Sequence, residues 1–449
     1  MTKNILSKKK IYFHIDELSR DSITASAFNK VLKNQSAKIF YGNRRTTTHL
    51  LPKFYDSFDL IVLPRPKFIR DLINKKNLPP VVVIFTEGVS RYVLKKDEAF
   101  TINSFLGPEF LNGFKDYVNK LEKIFLWGAA AKIPILKYYP ELKDKIKIVG
   151  NPRMDKMCVY RNNRNSNKNI GLITRFSLFN DFQDRKPIDK LVSFSATTDS
   201  FNNRVEVNNQ ENGLFLDERN TPSEVLYSEA ADICTTIEII RHLNKNNFNV
   251  HLKVHPRENK DYWRNTIKKF NLKVKVADWL IPFSKWSSRM DYVIGTASTT
   301  FYDCIRNNTT PICTRYIFKK REHHVEKAWE EYGALMKHIP HPKNMKELDN
   351  IIHKNSKIQI NEKMKKILNN ETMYPESENQ IYDYVKEFEK IIKNNNYKSK
   401  NIFLYELSLF FLNIVGKIKK IIKKTSIQGA DFFMDGYTKK FINDLVDKK

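Results

Sequence analysis

The chain has 449 residues, 41% of them hydrophobic, and carries a formal net charge of +28 from 78 Lys and Arg against 50 Asp and Glu. That length and apolar content allow two or three domains with buried cores and exclude a disordered chain. The positive surplus points to an anionic partner (nucleic acid, a membrane surface, or phosphorylated and carboxylated small molecules), although genomic base composition, which makes Lys and Asn abundant throughout, would raise the Lys count and hence the charge with no partner at all.

The N-terminal "MTKNILSKKKIYFHID" is basic but has no apolar h-region, so export is not expected. Short apolar runs follow at residues 11–15, 37–42, 59–64, 80–88, 124–128 and 146–152, alternating with predicted helices such as 19–33, with Ser19 as a candidate cap, and 129–139. Continuous rather than alternating hydrophobicity predicts a parallel sheet covered on both faces, hence a doubly wound α/β domain over 1–150. At "GNPRMDKMCVYRNNRNSNKN" (150–169) turn formers and basic residues interrupt the pattern, and a domain boundary is expected there.

A strand at 169–174 opens a second α/β half, followed by a long unpatterned stretch over 177–222 of the kind that forms binding loops or disordered inserts. A helix over 223–244, the strand "VHLKV", a helix from Lys260, a strand at 272–277, the strand-loop-helix unit "DYVIGTASTTFYDCIRNN" (291–308) and a strand at 310–314 complete it. The expected domains are 1–150, 151–345 and a helical extension over 346–449.

Within that extension, Leu404, Leu407, Phe411, Ile414, Ile418 and Ile421 recur at helical spacing, and five lysines lie between 417 and 424. A basic amphipathic helix over 402–424 suits the surface of an anionic membrane, or else docks its stripe on the protein. Its apolar run "IFLYELSLFFLNIV" is too short to span a bilayer, which takes ~20 apolar residues. Cys158, Cys234, Cys304 and Cys313 lack the paired short spacings of zinc sites or disulfide frameworks and read as reduced thiols of a cytosolic protein.

Two motifs can carry chemistry. "HLKVHPRE" (251–258) is a strand that stops on His255, Pro256 and Arg257, and ligands of open α/β sheets bind beyond the carboxyl ends of strands. Histidine and arginine there can donate to a phosphate, while proline stops the strand, although strand-end histidines are commonly structural. "VIGTASTTF" (293–301) sets Gly295 and the hydroxyls of Thr296, Ser298, Thr299 and Thr300 where a strand turns into a helix, a junction suited either to an anion or to ordinary capping. The GxxxxGK[ST] pattern of a P-loop is absent. His323 and His324, near Glu322 and Glu326, fall in a charged helical stretch and read as surface or cleft residues rather than metal ligands.

"HPRE" followed by "GTASTT" resembles the His-Pro and Ser/Thr motifs of bacterial glycosyltransferases that use CMP-activated acidic sugars. Together with "FTEGVSRY" (85–92), "VGNPRMD" (149–155) and "GLITRFSLFND" (171–181), the order resembles that of surface carbohydrate biosynthesis proteins, which include or neighbour transferases of β-linked Kdo. The resemblance covers roughly residues 10–330. It implies two facing Rossmann-like domains, the GT-B architecture. It also implies His255 on the CMP phosphate, Ser298 and Thr299 on the same phosphate, Glu87 as general acid/base on the acceptor hydroxyl, and Asp181, with Asp184 as substitute, as the nucleophile of a two-step displacement.

No cofactor or metal is required by this reading; the donor substrate is a CMP-activated keto-sugar acid, and the acceptor a glycan or lipid-linked glycan at the inner face of the cell membrane. Two alternatives stand beside it: a CDP-polyol phosphotransferase or UDP-sugar enzyme of the same fold, and a non-catalytic basic protein that binds RNA or membranes. Neither an RNP-like motif nor a helix-turn-helix signal supports specific nucleic-acid binding.

Overall fold

The computed structural model describes residues 5–85, 119–160, 169–176, 179–181, 186–187, 196–198, 204–206, 222–317, 333–354, 358–423 and 442. The chain forms two units: Met1–Val159 with Lys365–Lys449, and Tyr160–Met364.

The first unit is built on β1 (Lys10–His14), α1 (Leu18–Asn34), β2 (Lys38–Gly42), β3 (Leu60–Leu63), β4 (Val81–Ile84), β5 (Lys123–Leu126), α2 (Ala129–Tyr138) and β6 (Ile146–Ile148). The strands pair in parallel in the order β2-β1-β3-β4-β5-β6. Every residue of β3 and β4 is buried, as the unbroken apolar runs predict for a sheet covered on both faces. α1 begins one residue before its expected start, and Ser19 is not its cap. The carboxylate of Asp21, inside the first turn, accepts the backbone N–H groups of Glu17 at 2.9 Å and Asp16 at 3.2 Å.

The second unit contains β7 (Asn169–Ile173), β8 (Ala196–Thr198), β9 (Arg204–Glu206), α3 (Pro222–Lys245), β10 (Asn249–Lys253), α4 (Lys260–Lys269), β11 (Val274–Val276), α5 (Phe283–Ser287), β12 (Tyr292–Gly295), α6 (Thr300–Arg306), β13 (Thr310–Cys313) and α7 (Met345–His353). Its main sheet is parallel in the order β11-β10-β7-β12-β13. β8 and β9 form a small antiparallel pair inside the stretch that showed no pattern in the sequence. Both units are thus Rossmann-like α/β sheets, the expected fold class.

The C-terminal helices do not form an extension of their own. α7 buries Leu348 and Ile352 in the core of the second unit, whereas α8 (Glu362–Thr372), α9 (Gln380–Asn394) and α10 (Phe403–Lys423) lead back to the first. An amphipathic helix gains stability by covering its apolar stripe, and α9 finds that cover on the first unit. Phe388 and Tyr384 of α9 pack on Phe28 of α1 at ring-centroid distances of 6.0 and 5.7 Å.

The units divide at Val159–Tyr160, inside the 150–169 stretch where the sequence pattern breaks and nine residues beyond 150. "NPRMD" supplies two short 3-10 turns, capped by Asn151 and Asp155. The other oxygen of the Asp155 carboxylate accepts the Ile381 N–H at 2.8 Å, and the Tyr384 hydroxyl donates to the Gly150 carbonyl at 2.8 Å. Arg153 of the same motif stacks over Trp127 at 5.0 Å.

Candidate functional site

In the second sheet the strand order reverses around β7, between β10 and β12, and the crevice beyond such a reversal is where open α/β sheets hold ligands. Lys253 is paired with Ile173, and Ile294 with Leu172, so the three strands end at nearly the same level. The His255 turn and the Gly295–Thr300 loop therefore flank the end of β7. They are not on adjacent strands; two strand spacings, about 10 Å of backbone, separate them. Thr174, which the sequence reading left without a role, lies between them.

The turn after β10 is held by a buried network. The Thr174 hydroxyl accepts the His255 backbone N–H at 3.2 Å and hydrogen-bonds to the Glu258 carboxylate. Glu258 also accepts the Phe176 N–H at 2.9 Å, Trp263 Nε1–H at 2.8 Å and Asn180 Nδ2–H at 3.4 Å. Burial raises the Glu258 pKa, against the pull of those donors. The His255 carbonyl accepts the Glu258 N–H at 2.9 Å, closing the turn. Arg257 N–H donates to Nδ1 of His255 at 3.2 Å, so the neutral ring carries its proton on Nε2. Pro256 is partly buried and Arg257 exposed.

Asp181 is buried, and its backbone bridges antiparallel to Glu258, which brings the expected nucleophile loop beside the His255 turn. Asp184 lies outside the described residues. Lys253, the last residue of β10, is structural: its ammonium donates to the carbonyls of Asp278, Trp279 and Ile281 at 2.6–3.3 Å.

Across β7, Gly295 is required by close packing, since a Cβ there would stand 3.0 Å from Ile173 Cδ1 and 3.1 Å from the Ile173 carbonyl oxygen. Ser298 Oγ accepts from the Thr300 N–H at 3.2 Å and its hydroxyl at 3.0 Å, so Ser298 turns the loop into α6. Thr299, at the helix start, makes no side-chain capping bond. α6 has seven residues, so the hydroxyls and loop N–H groups, more than its dipole, are what this junction can offer an anion.

The end of β13 adds residues that no motif signalled. The ring of His341 packs on Tyr316 at 5.4 Å and its Nδ1 lies 2.6 Å from the Ile339 carbonyl. Burial and the charge of Arg315 depress its pKa to about 4, against that hydrogen bond, so it is neutral at pH 7. Burial pushes the Cys313 thiol up to about 11, which removes it as a nucleophile. None of the four cysteines is in a disulfide. Among the described residues no group of three or more His, Cys, Asp or Glu is arranged to hold a metal ion, and His323 and His324 lie outside them.

In the first unit Glu87 lies outside the described residues. The end of β1, beside the reversal between β1 and β3, instead presents His14, Asp16 and Glu17. His14 is buried, with Nδ1 2.5 Å from Thr47 Oγ1 and Nε2 3.9 Å from Asp16, an ionic rather than a hydrogen-bonding distance. Arg20 bridges Asp16 at 3.2 Å and Asp21 at 2.6 Å. Although burial opposes it, the His14 ring with Arg20 and Arg65 holds the Asp16 carboxyl well below the usual range. Glu17 goes the other way: burial, with Asp21 and Asp16 nearby, pushes it up to about 7 despite Arg20. The signal in the sequence was "HIDE", a histidine and two acids at a strand end, adjoining a helix start that was read only for its cap.

No protein-family model and no curated protein matches the sequence. Solved structures resemble it at low identity. A Staphylococcus aureus MnaA structure with UDP has 10% identity and a TM-score of 0.49, covering 88% of this chain and 99% of the other. The wall teichoic acid polymerase TagF, as a histidine-to-asparagine variant with CDPG, has 12% identity and a TM-score of 0.48, covering 88% and 91%. The calicheamicin glycosyltransferase CalG4 has 10% identity and a TM-score of 0.40, covering 87% and 99%. Scores of this size add nothing to the topology visible in the two sheets, and function rests on the site itself.

Proposed function

We propose that the chain is a glycosyltransferase that moves a keto-sugar acid such as Kdo from a CMP donor to a surface polysaccharide or lipid-linked glycan. The observation that supports it is the placement of His255, Thr174 and the Ser298–Thr300 hydroxyls at the carboxyl ends of three neighbouring strands, on either side of the point where the strand order reverses. The His255 Nε2–H and the loop donors would bind the CMP phosphate, with the Arg257 guanidinium as a further anion partner. A single phosphate diester carries one negative charge, which these donors can neutralise without a metal.

In the first step Asp181 would bond to the anomeric carbon on the face opposite the phosphate as CMP departs, and in the second the acceptor oxygen, giving up its proton to the base, would displace Asp181 from the face that CMP vacated; a carboxylate 4% exposed must move to do so. Glu87 remains the expected base.

Thermal-shift titration with CMP, CDP, UDP and GDP, on wild type and His255→Ala, tests the donor. A ligand at 100 times its dissociation constant stabilises by about 2.7 kcal/mol. CMP-selective stabilisation abolished in the variant supports the reading. Selectivity for UDP or CDP replaces the donor but keeps the site. Silence with every nucleotide, together with steeply salt-dependent RNA binding, would replace the enzyme by a basic nucleic-acid-binding protein.

A further inference from the structure

α10 has two apolar faces, and the protein uses only one. Tyr405 and Leu409 are buried in the core of the first unit, with Leu412 packed against it. The Tyr405 ring meets Phe58 at 5.0 Å and Phe40 and Phe54 at 6.1 Å. Phe403, Leu404, Leu407, Phe410, Phe411 and Ile414 stand exposed, Phe403, Leu404 and Phe410 by about 60% of their surface. At 100° per residue these six fall within about 120° of arc, and the three docked residues fall on the opposite side. They are six of the eleven large apolar side chains exposed among the described residues.

Four of the six form the stripe noted in the sequence, and that stripe is not the docked face. By helical register Ile418 and Ile421 continue the same arc. By the same register Lys417 borders the arc, while Lys419, Lys420 and Lys423 fall toward the opposite side, from which their long stems must carry the ammonium groups round to the headgroups, and no acidic residue occurs from 407 to 430. The described helices include none long and apolar enough to cross a membrane.

We infer that α10 is an in-plane membrane-docking helix: its exposed Phe/Leu/Ile arc enters the interfacial layer of an anionic bilayer while its opposite face bolts it to the first unit. Exposed aromatic and aliphatic side chains supply apolar burial, and the lysines meet anionic headgroups. From Phe403 to Ile414 that exposed face runs about 17 Å along the helix. Charge selects the bilayer over a second copy of this chain: a parallel pair of such helices would set lysine segment against lysine segment, and an antiparallel pair would set each against the apolar Phe403–Phe411 end of the other, whereas anionic headgroups complement it. The inference is independent of the donor-site reading and stands or falls on lipid binding alone.

Flotation of the full-length protein with phosphatidylcholine vesicles, with and without about a third phosphatidylglycerol, tests it. The wild type is expected to float with the anionic vesicles at least tenfold better than with neutral ones, and less so at high salt. Phe410→Glu/Phe411→Glu should lose at least tenfold in binding with an unchanged melting temperature, because both side chains are exposed. Lys417→Gln/Lys420→Gln should lose the preference for anionic lipid. Failure of the wild type to float, binding unaffected by the Phe410/Phe411 change, or a dimer in solution that this change dissociates would each overturn the inference.

Discussion

The Arg257 backbone N–H donates to Nδ1 of His255 across a single turn, at 3.2 Å. The bond sets the tautomer before any ligand arrives and makes Nε2 the donor of the neutral ring. We expect long-range 15N–1H correlation spectra to show the Nε2–H form. His255→Gln, whose amide nitrogen reaches toward the Nε2 position, should keep part of the nucleotide-induced melting shift, and His255→Asn, which is shorter, should keep none. Equal losses in the two would mean that Nε2 is not the contacting atom.

Glu258 faces donors on several sides, so its loss leaves them stranded. Glu258→Ala should destabilise the second unit by about 3 kcal/mol, since a buried acceptor of several hydrogen bonds is removed. Glu258→Gln should cost less but not nothing, because its amide turns an N–H₂ toward neighbours that are themselves donors. Urea denaturation of the two variants gives the ranking; a neutral Glu258→Ala would show that the network does not hold the turn.

At Gly295 the obstacle is packing. Ala there must displace Ile173 or separate β12 from β7, at a cost of about 1–3 kcal/mol. Its companion measurement is Ile173→Ala, which removes the Cγ1 and Cδ1 that the new Cβ meets, so Gly295→Ala should cost less in that background than in the wild type.

Glu17 links the first unit to pH. Its folded pKa of about 7 lies above the ordinary 4.5, so the folded chain binds this proton more tightly than the unfolded one. That contribution is complete below about pH 4.5 and is lost as pH rises through 7. Glu17→Gln should therefore gain on the wild type between pH 5 and pH 8, by up to about 2.5 kcal/mol. Parallel stability curves across that window would place the Glu17 carboxyl back in the ordinary range.

Asp155 is the hinge of the C-terminal return. Asp155→Ala removes the cap of its own turn and the acceptor of the Ile381 N–H, and should cost about 2–3 kcal/mol. Hydrogen exchange should quicken at the start of α9 more than in the second unit; a uniform change would argue against a local anchor.

The strands were legible because parallel sheets bury both faces, and such runs as "LIVL" and "VVVI" have nowhere else to go. The His255 turn and the Gly295 loop were legible because a strand ending on proline, or on glycine and hydroxyls, announces a carboxyl end. Thr174 and Glu258 were not, because their meaning lies in hydrogen bonds to residues 81 and 82 positions away. Nor was Glu17 legible, because a carboxyl next to a helix start is ordinary until burial raises its pKa.

Local pattern alone thus determined the two α/β halves, their strands and the side of the second sheet on which a ligand site belongs, since periodicity and turn chemistry act over a few residues. Only the tertiary structure decided that β7 separates the two motifs, that the last helices return to the first unit, and which side of α10 is covered. Each of those depends on which apolar surface finds a partner, and the partners lie far away along the chain.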